Sequence, residues 1–142
     1  MGMQLGTVAA GEGRFRLEAA VVVTPRGITV TACSPRYAHL GATAQAIPRP
    51  EPGRTATVSI LSVPCHRDEI PAHDIAAKLA TRFHMPVAAS TGLHVDGATD
   101  EDLHTFLGVV SELTEGIADY VAKALPAASE DELDPAPARP RA

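Results

Sequence analysis

The sequence contains no tryptophan, and aromatic residues make up only 4% of its 142 residues. Its arginines are scattered and have no aromatic platform beside them, so nucleic acid is not expected as a partner. No stretch approaches the roughly 20 apolar residues that are needed to span a bilayer, which argues against a membrane protein. A glycine-rich phosphate loop of the P-loop or dinucleotide type is also missing, which argues against those nucleotide-binding folds.

Cysteine is scarce as well, with Cys33 and Cys65 as the only two. The beginning of the sequence has no charged-then-apolar leader, so we predict a cytoplasmic protein with both thiols reduced rather than joined in a disulfide. Cys65 and His66 are adjacent, which disfavours a nucleophile and its base, because neighbouring residues at a strand end point in opposite directions. No third residue that would orient the base is identifiable either.

Alternating apolar residues predict four strands in succession, after which the apolar spacing becomes helical. The predicted strands cover residues 15–23, 28–33, 41–47 and 55–63, followed by a helix over 72–83, a strand over 85–92, and a long helix from Thr99 that ends at Pro126. Short connections between the first four strands favour an antiparallel meander. We therefore predict an α+β fold with a mainly antiparallel sheet, in the order β-β-β-β-α-β-α, and with both helices on one face.

The length of 142 residues and the apolar content of 45% fit one domain, which we place at residues 13–125. Residues 1–12 precede it as a flexible arm, for which a short edge strand is the alternative. Residues 126–142 are rich in proline and acid and are predicted to be disordered. The apolar residues are mostly alanine and valine, which leave little bulk to close a sheet, so we expect a homodimer.

Three of the six histidines lie just outside predicted strands. His39 precedes the third strand and His66 follows the fourth, so antiparallel pairing places both at one edge of the sheet. His94 follows the fifth strand and joins them if that strand runs parallel to the fourth, which the intervening helix favours. Imidazole is the commonest metal ligand in proteins, so these three histidines predict a shared site that could hold a metal ion. The remaining histidines are predicted to be surface residues: His73, His84 and His104.

Charged residues beside these histidines extend the candidate site. Asp96 can orient the His94 ring or act as a hard ligand, and Arg36 and Arg67 suit a phosphate group. Two other interpretations stay open. One is a small metalloenzyme with three histidine ligands and an open position for water, in which Asp96 or Glu69 is the base. The other is an assembly chaperone that binds a partner protein through a sheet edge or helix face, with the histidines incidental.

Three motifs, in order, resemble those of the prenylated-flavin chaperone family, typified by the D component that accompanies gallate decarboxylase. They are His39-Leu40-Gly41-Ala42, Pro64-Cys65-His66-Arg67 and Gly92-Leu93-His94-Val95-Asp96. The resemblance covers residues 13–124. The main departure is Cys65, where the family commonly has glycine, and a side chain there restricts the backbone.

This resemblance implies a fold similar to proteasome assembly chaperones, a homodimer, and no catalysis by the protein itself. It also implies that the protein holds prenylated FMN, or FMN, for a UbiD-type decarboxylase of aromatic acids. The implied cofactor-binding residues are Arg36, Tyr37, His39, Cys65, His66, Arg67, His94 and Asp96, and any metal ligands would be His39, His66 and His94. The client decarboxylase, its substrate and the identity of a metal ion are left open.

Overall fold

The computed structural model describes residues 2–51, 53, 55–65 and 67–128, which form six strands and two helices. In chain order these are β1 Gln4–Ala10, β2 Leu17–Thr24, β3 Gly27–Cys33, β4 Ala42–Ile47, β5 Thr57–Ser62, α1 Glu69–Phe83, β6 Val87–Gly92 and α2 Asp100–Ala128. Single 3-10 turns precede β2 and β4. The predicted α+β class is confirmed.

The strands form one sheet in the spatial order β1-β2-β3-β6-β4-β5. β6 lies between β3 and β4, parallel to β3 and antiparallel to β4, and the other neighbours are antiparallel. The predicted meander is therefore wrong at one step, because β3 and β4 do not pair. α1 connects β5 to β6. β6 consists mainly of small residues and is a central strand, with β3 along one edge and β4 along the other.

The core lies between the sheet and the two helices, which pack on the same face. α1 packs on β4, β5 and β6, while α2 packs on β1 and β2. Alternate strand residues face the helices and are buried, as Val21 and Val30 illustrate, and they meet Ile75 of α1 and Ile117 of α2 in one cluster. Neither helix, over its described residues, has the length and apolar character that crossing a bilayer requires.

Two boundaries differ from the predictions. Residues 4–10 form a strand that pairs with β2 along its whole length, so the alternative of an edge strand is correct and the flexible arm over 1–12 is not. β1 packs closely on α2. The ring of Tyr120 lies so near Gly6 that a Cβ added at Gly6 would overlap it. α2 continues past the predicted end at Pro126 to Ala128. The rest of the predicted tail, residues 129–142, lies outside the described residues.

Candidate functional site

The strand directions bring three loops to one edge of the sheet. β3, β5 and β6 end at this edge and β4 begins there, because β5 and β6 are both antiparallel to β4, and β3 is parallel to β6. The loops are residues 34–41, 63–68 and 93–99, and together they carry the three sequence motifs. His66 lies outside the described residues, so its predicted role stays a prediction.

His39 is held from both sides by oxygen acceptors. Its Nδ1 lies 2.6 Å from the carbonyl oxygen of Tyr37, and its Nε2 lies 3.3 Å from Oδ2 of Asp68. A neutral imidazole has one N–H and one nitrogen lone pair, so at most one of these two contacts is a hydrogen bond donated by the neutral ring. The role of metal ligand predicted at His39 stays a prediction.

Asp68 links the three loops, and sequence reasoning missed it. Its carboxylate is buried, and Oδ1 accepts a hydrogen bond of 2.8 Å from the backbone N–H of Leu93. Its backbone carbonyl accepts the Thr91 hydroxyl at 2.8 Å and the N–H of Ala72 at 3.1 Å. The sequence did contain one signal for Asp68, because an aspartate directly before a helix usually caps that helix. Here the side chain makes no cap hydrogen bond and turns to the loops instead.

The close packing of these loops explains two motif glycines. A Cβ at Gly41 would overlap the carboxylate of Asp68, and a Cβ at Gly92 would overlap the backbone carbonyl of His39. Cys65 has a φ of 69°, in the left-handed region where glycine is favoured. The backbone at Cys65 thus has the conformation expected of a position that commonly holds glycine.

Asp96 joins Tyr37 and His94 through its two carboxylate oxygens. The Tyr37 hydroxyl donates to Oδ2 at 2.9 Å, and Nε2 of His94 lies 2.6 Å from Oδ1. The two rings stack at an angle, with centroids 4.8 Å apart, and Ser34 Oγ accepts the backbone N–H of His94 at 2.9 Å. Hydrogen bonds from His94 and then Tyr37 hold the pKa of Asp96 below its ordinary value.

The same contact affects Tyr37 in the opposite direction. Its hydrogen bond to Asp96, together with the negative charge there, raises the pKa of the Tyr37 phenol, because both favour the protonated form. In Asp96→Asn the charge is lost, so we expect the Tyr37 pKa to fall and tyrosinate to form at lower pH. A near-ultraviolet absorbance titration measures this. The Asp96→Asn change should have no effect on the titration in a Tyr37→Phe background, and an unchanged curve in the Tyr37 protein would contradict the contact.

Two grooves of different character meet at this edge. The cationic groove has a volume of about 470 Å³ and is lined chiefly by Arg14, Arg16, Arg36, Tyr37, His94 and Asp96. The apolar groove has a volume of about 390 Å³ and is lined chiefly by Ile70, Leu93, Val95, Leu103, Phe106 and Leu107, with Cys65 and Arg67 at its border. His94 and Val95 line both grooves. Each volume is in the range of about 300–1,000 Å³ that is usual for small-molecule sites.

The arginines of the cationic groove differ in how far they are neutralised. Arg14 lies 2.6 Å from Asp102, and Arg16 lies 3.1 Å from Glu18. Arg36 is exposed and has no ion pair with any residue that the structure describes. Arg36 is therefore the arginine most available to an anion, and sequence reasoning missed that Arg14 and Arg16 lie beside it.

The described candidates, which do not include His66, form no metal centre among themselves. Across the described parts of the chain, no group of three or more histidine, cysteine, aspartate or glutamate side chains could hold an ion. Glu69, the other base of the metalloenzyme interpretation, is not among the residues that line either groove. Cys33 and Cys65 are free thiols. The other three histidines are exposed, as predicted: His73, His84 and His104.

Comparison with known proteins supports both the fold and the family. The crystal structure of a chaperone complex for yeast 20S proteasome assembly contains a chain similar to this one, with a TM-score of 0.59 and 14% identity over 88% of this chain and 99% of that chain. At this identity the similarity shows the fold alone. No curated protein has a matching sequence. The model of the prenylated flavin chaperone LpdD-like domain matches residues 11–122, most of the sequence. The chain therefore belongs to the prenylated flavin chaperone LpdD-like family, which indicates a chaperone role.

Proposed function

We propose that this protein is a non-catalytic chaperone that binds prenylated FMN, or FMN, as a homodimer and supplies it to a UbiD-type decarboxylase of aromatic acids. The observation that carries the proposal is the meeting of an apolar groove and a cationic groove at His94 and Val95. A flavin mononucleotide has the same division, because a flat and largely apolar ring system is joined by a short chain to a phosphate dianion.

The apolar groove suits the ring system. Three large apolar side chains around it are half-exposed: Ile70 at 58%, Leu103 at 51% and Leu107 at 52%. Leaving such side chains in water forgoes roughly 25 cal/mol for each Å² of apolar surface that a ligand could cover. A planar ring between α1 and α2 would cover all three, and His94 at the border would lie next to the ribityl chain.

The cationic groove suits the phosphate. Arg36 has no carboxylate partner among the described residues, whereas Arg14 and Arg16 on the same groove are each paired with a carboxylate. A guanidinium can bind a phosphate through two parallel hydrogen bonds. Arg67 was the other predicted phosphate ligand, but it lies at the apolar groove, so we assign the phosphate to Arg36.

A metal ion is not part of the proposal. The predicted ligand set of His39, His66 and His94 stays a prediction, because His66 lies outside the described residues and each ring nitrogen of His39 faces an oxygen atom. The described residues also lack a candidate metal cluster. His94 instead has its ring oriented by Asp96, at the border between the ring and phosphate parts of the groove.

Titration with FMN and with riboflavin, which lacks the phosphate, tests the assignment. We expect Arg36→Ala to weaken FMN binding by about tenfold or more and to leave riboflavin binding unchanged, because one charge-assisted contact is lost. Leu107→Ser should weaken both ligands. Arg49→Ala is the matched control, since Arg49 is an exposed arginine in the loop after β4, at the opposite edge of the sheet.

Flavin absorbance and metal analysis of the purified protein complete the test. A colourless, metal-free protein that binds neither FMN nor prenylated FMN under anaerobic conditions would contradict the flavin role and leave the alternative of a protein assembly chaperone. If Arg36→Ala weakened the binding of FMN and of riboflavin equally, the result would contradict only the assignment of the phosphate to Arg36.

A further inference from the structure

Arg14 connects the cationic groove to the beginning of α2. It lies in the 3-10 turn that precedes β2 and is one of the residues that line the groove. Its Nη2 lies 2.6 Å from Oδ1 of Asp102, and its Nη1 lies 3.5 Å from the carbonyl oxygen of Asp96. The guanidinium also lies over the ring of Phe15, 4.8 Å from the ring centroid. The Arg14 side chain is still 52% exposed, so a carboxylate holds this cation beside the groove without enclosing it.

Asp102 is held in place by contacts that do not involve Arg14. Its Oδ2 accepts the backbone N–H of Thr99 at 3.1 Å, and Thr99 Oγ1 accepts the backbone N–H of Asp102 at 3.1 Å, which is the reciprocal pattern of a capping box. Hydrogen bonds from Thr99 and then from Arg14 hold the pKa of Asp102 below its ordinary value. A negative charge in the first turn of a helix is also stabilised by the helix dipole. Asp102 therefore keeps stabilising partners when Arg14 turns to another anion.

We infer that Asp102 is an internal competitor for Arg14: it holds the guanidinium in the empty protein, and a phosphate in the cationic groove takes Arg14 from it. The inference rests on the proposed function, to which it adds a second phosphate-binding residue and a control on phosphate affinity. A phosphate dianion carries more charge than a carboxylate and can accept two parallel N–H bonds from one guanidinium. An ion pair with an exposed partner contributes little to stability, so breaking the pair with Asp102 opposes the exchange only weakly.

An internal competitor suits a protein that must give up what it binds. As the phosphate leaves, Asp102 is already in position to recapture Arg14, so the pair lowers the affinity for the phosphate and speeds its release. Differences in affinity between closely related complexes lie mainly in the dissociation rate. The other paired arginine of the groove is less suited to this role. Arg16 pairs with Glu18, only two residues away, and that carboxylate is 54% exposed, whereas Asp102 is 18% exposed and fixed by the cap of α2.

The affinity for FMN and the rate of FMN release test the inference. Asp102→Asn keeps an oxygen that can accept the Thr99 N–H but loses the charge that attracts Arg14. We expect it to bind FMN about threefold to tenfold more tightly, to release FMN correspondingly more slowly, and to bind riboflavin as the wild type does. Arg14→Ala should weaken FMN binding, and adding Asp102→Asn to it should then change nothing, because the two residues act as one pair.

Glu101→Gln is the matched control for Asp102→Asn. It removes the same charge from an exposed residue in the same turn of α2, and Glu101 has no ion pair within the described part of the chain. Its FMN affinity should be nearly that of the wild type, because salt screens an exposed charge that makes no direct contact. If Asp102→Asn tightened FMN binding equally with and without Arg14, or if it had no effect on FMN, the inference would be overturned.

The side-chain Nε–H signal of Arg14 in a nuclear magnetic resonance spectrum provides a second test, which needs no variant. Saturating FMN should shift this signal in the wild-type protein, and so should inorganic phosphate, which needs no flavin site. An Arg14 signal that neither ligand shifts would overturn the inference and leave Arg36 as the phosphate residue of the proposed function. A shift with inorganic phosphate in a protein that binds neither FMN nor prenylated FMN would contradict the proposed cofactor and support the exchange at Arg14.

Discussion

Replacing Gly92 with alanine is expected to lower the free energy of unfolding by about 3 kcal/mol, since it forces a methyl group into a packed site. Gly92 ends β6, and its added Cβ would overlap the backbone carbonyl of His39. The obstacle is backbone, so it cannot turn aside as the end of a long side chain can. The neighbouring segments are also hydrogen-bonded to this strand, through Ser34 N–H to Gly92 O at 3.1 Å and Gly41 N–H to Thr91 O at 2.9 Å.

Urea denaturation of two separate variants, Gly92→Ala and Gly108→Ala, measures this effect. Gly108 lies inside α2, where an added Cβ has no described atom within 4 Å apart from its chain neighbours and the adjacent backbone of the helix. Alanine is a better helix former than glycine, so Gly108→Ala should raise the free energy of unfolding by roughly 1 kcal/mol. A Gly92→Ala protein as stable as the wild type would show that the loops do not pack as described.

Replacing Asp68 with alanine is expected to cost about 2–4 kcal/mol, because it removes a buried carboxylate that serves several partners. The N–H of Leu93 loses its acceptor and His39 loses the partner of its Nε2. Asp68→Asn retains an acceptor oxygen without the charge, so it should cost less than alanine. Both lost contacts lie in the loops that border the grooves. Because the N–H of Leu93 no longer has its acceptor, its amide hydrogen should also exchange faster with solvent.

Asp74→Ala is the matched control for Asp68→Ala. Asp74 also contacts a histidine, with Oδ1 3.2 Å from Nδ1 of His73, but both side chains are about half-exposed. An exposed ion pair contributes about 0–1 kcal/mol, so this variant should be nearly as stable as the wild type. Equal stability of Asp68→Ala and Asp74→Ala would mean that the buried pair does not hold the loops together.

The local spacing of residues in the sequence was sufficient to predict most strands and helices, and the motifs were sufficient to predict the family. Alternation predicted β2 to β5, and the four-residue spacing of Ile75, Leu79 and Phe83 predicted α1, because these periods are properties of the strand and the helix themselves. The three motifs pointed to the family that the match over residues 11–122 supports. The assignment of ligand roles stays a prediction for all eight residues: Arg36, Tyr37, His39, Cys65, His66, Arg67, His94 and Asp96.

Only the tertiary structure decided the strand order and the partners of the polar side chains. β6 inserts between β3 and β4, and β1 is a strand because β2 lies beside it, which no local period encodes. In the same way, His39 was identifiable as part of a motif, but its contact with Asp68 depends on where α1 begins relative to β4. The sequence by itself determined which segments become β2 to β6 and the two helices, and which loops carry the family's motifs. Long-range packing determined how they pair, because the free energy of that choice lies in contacts between residues far apart in the chain.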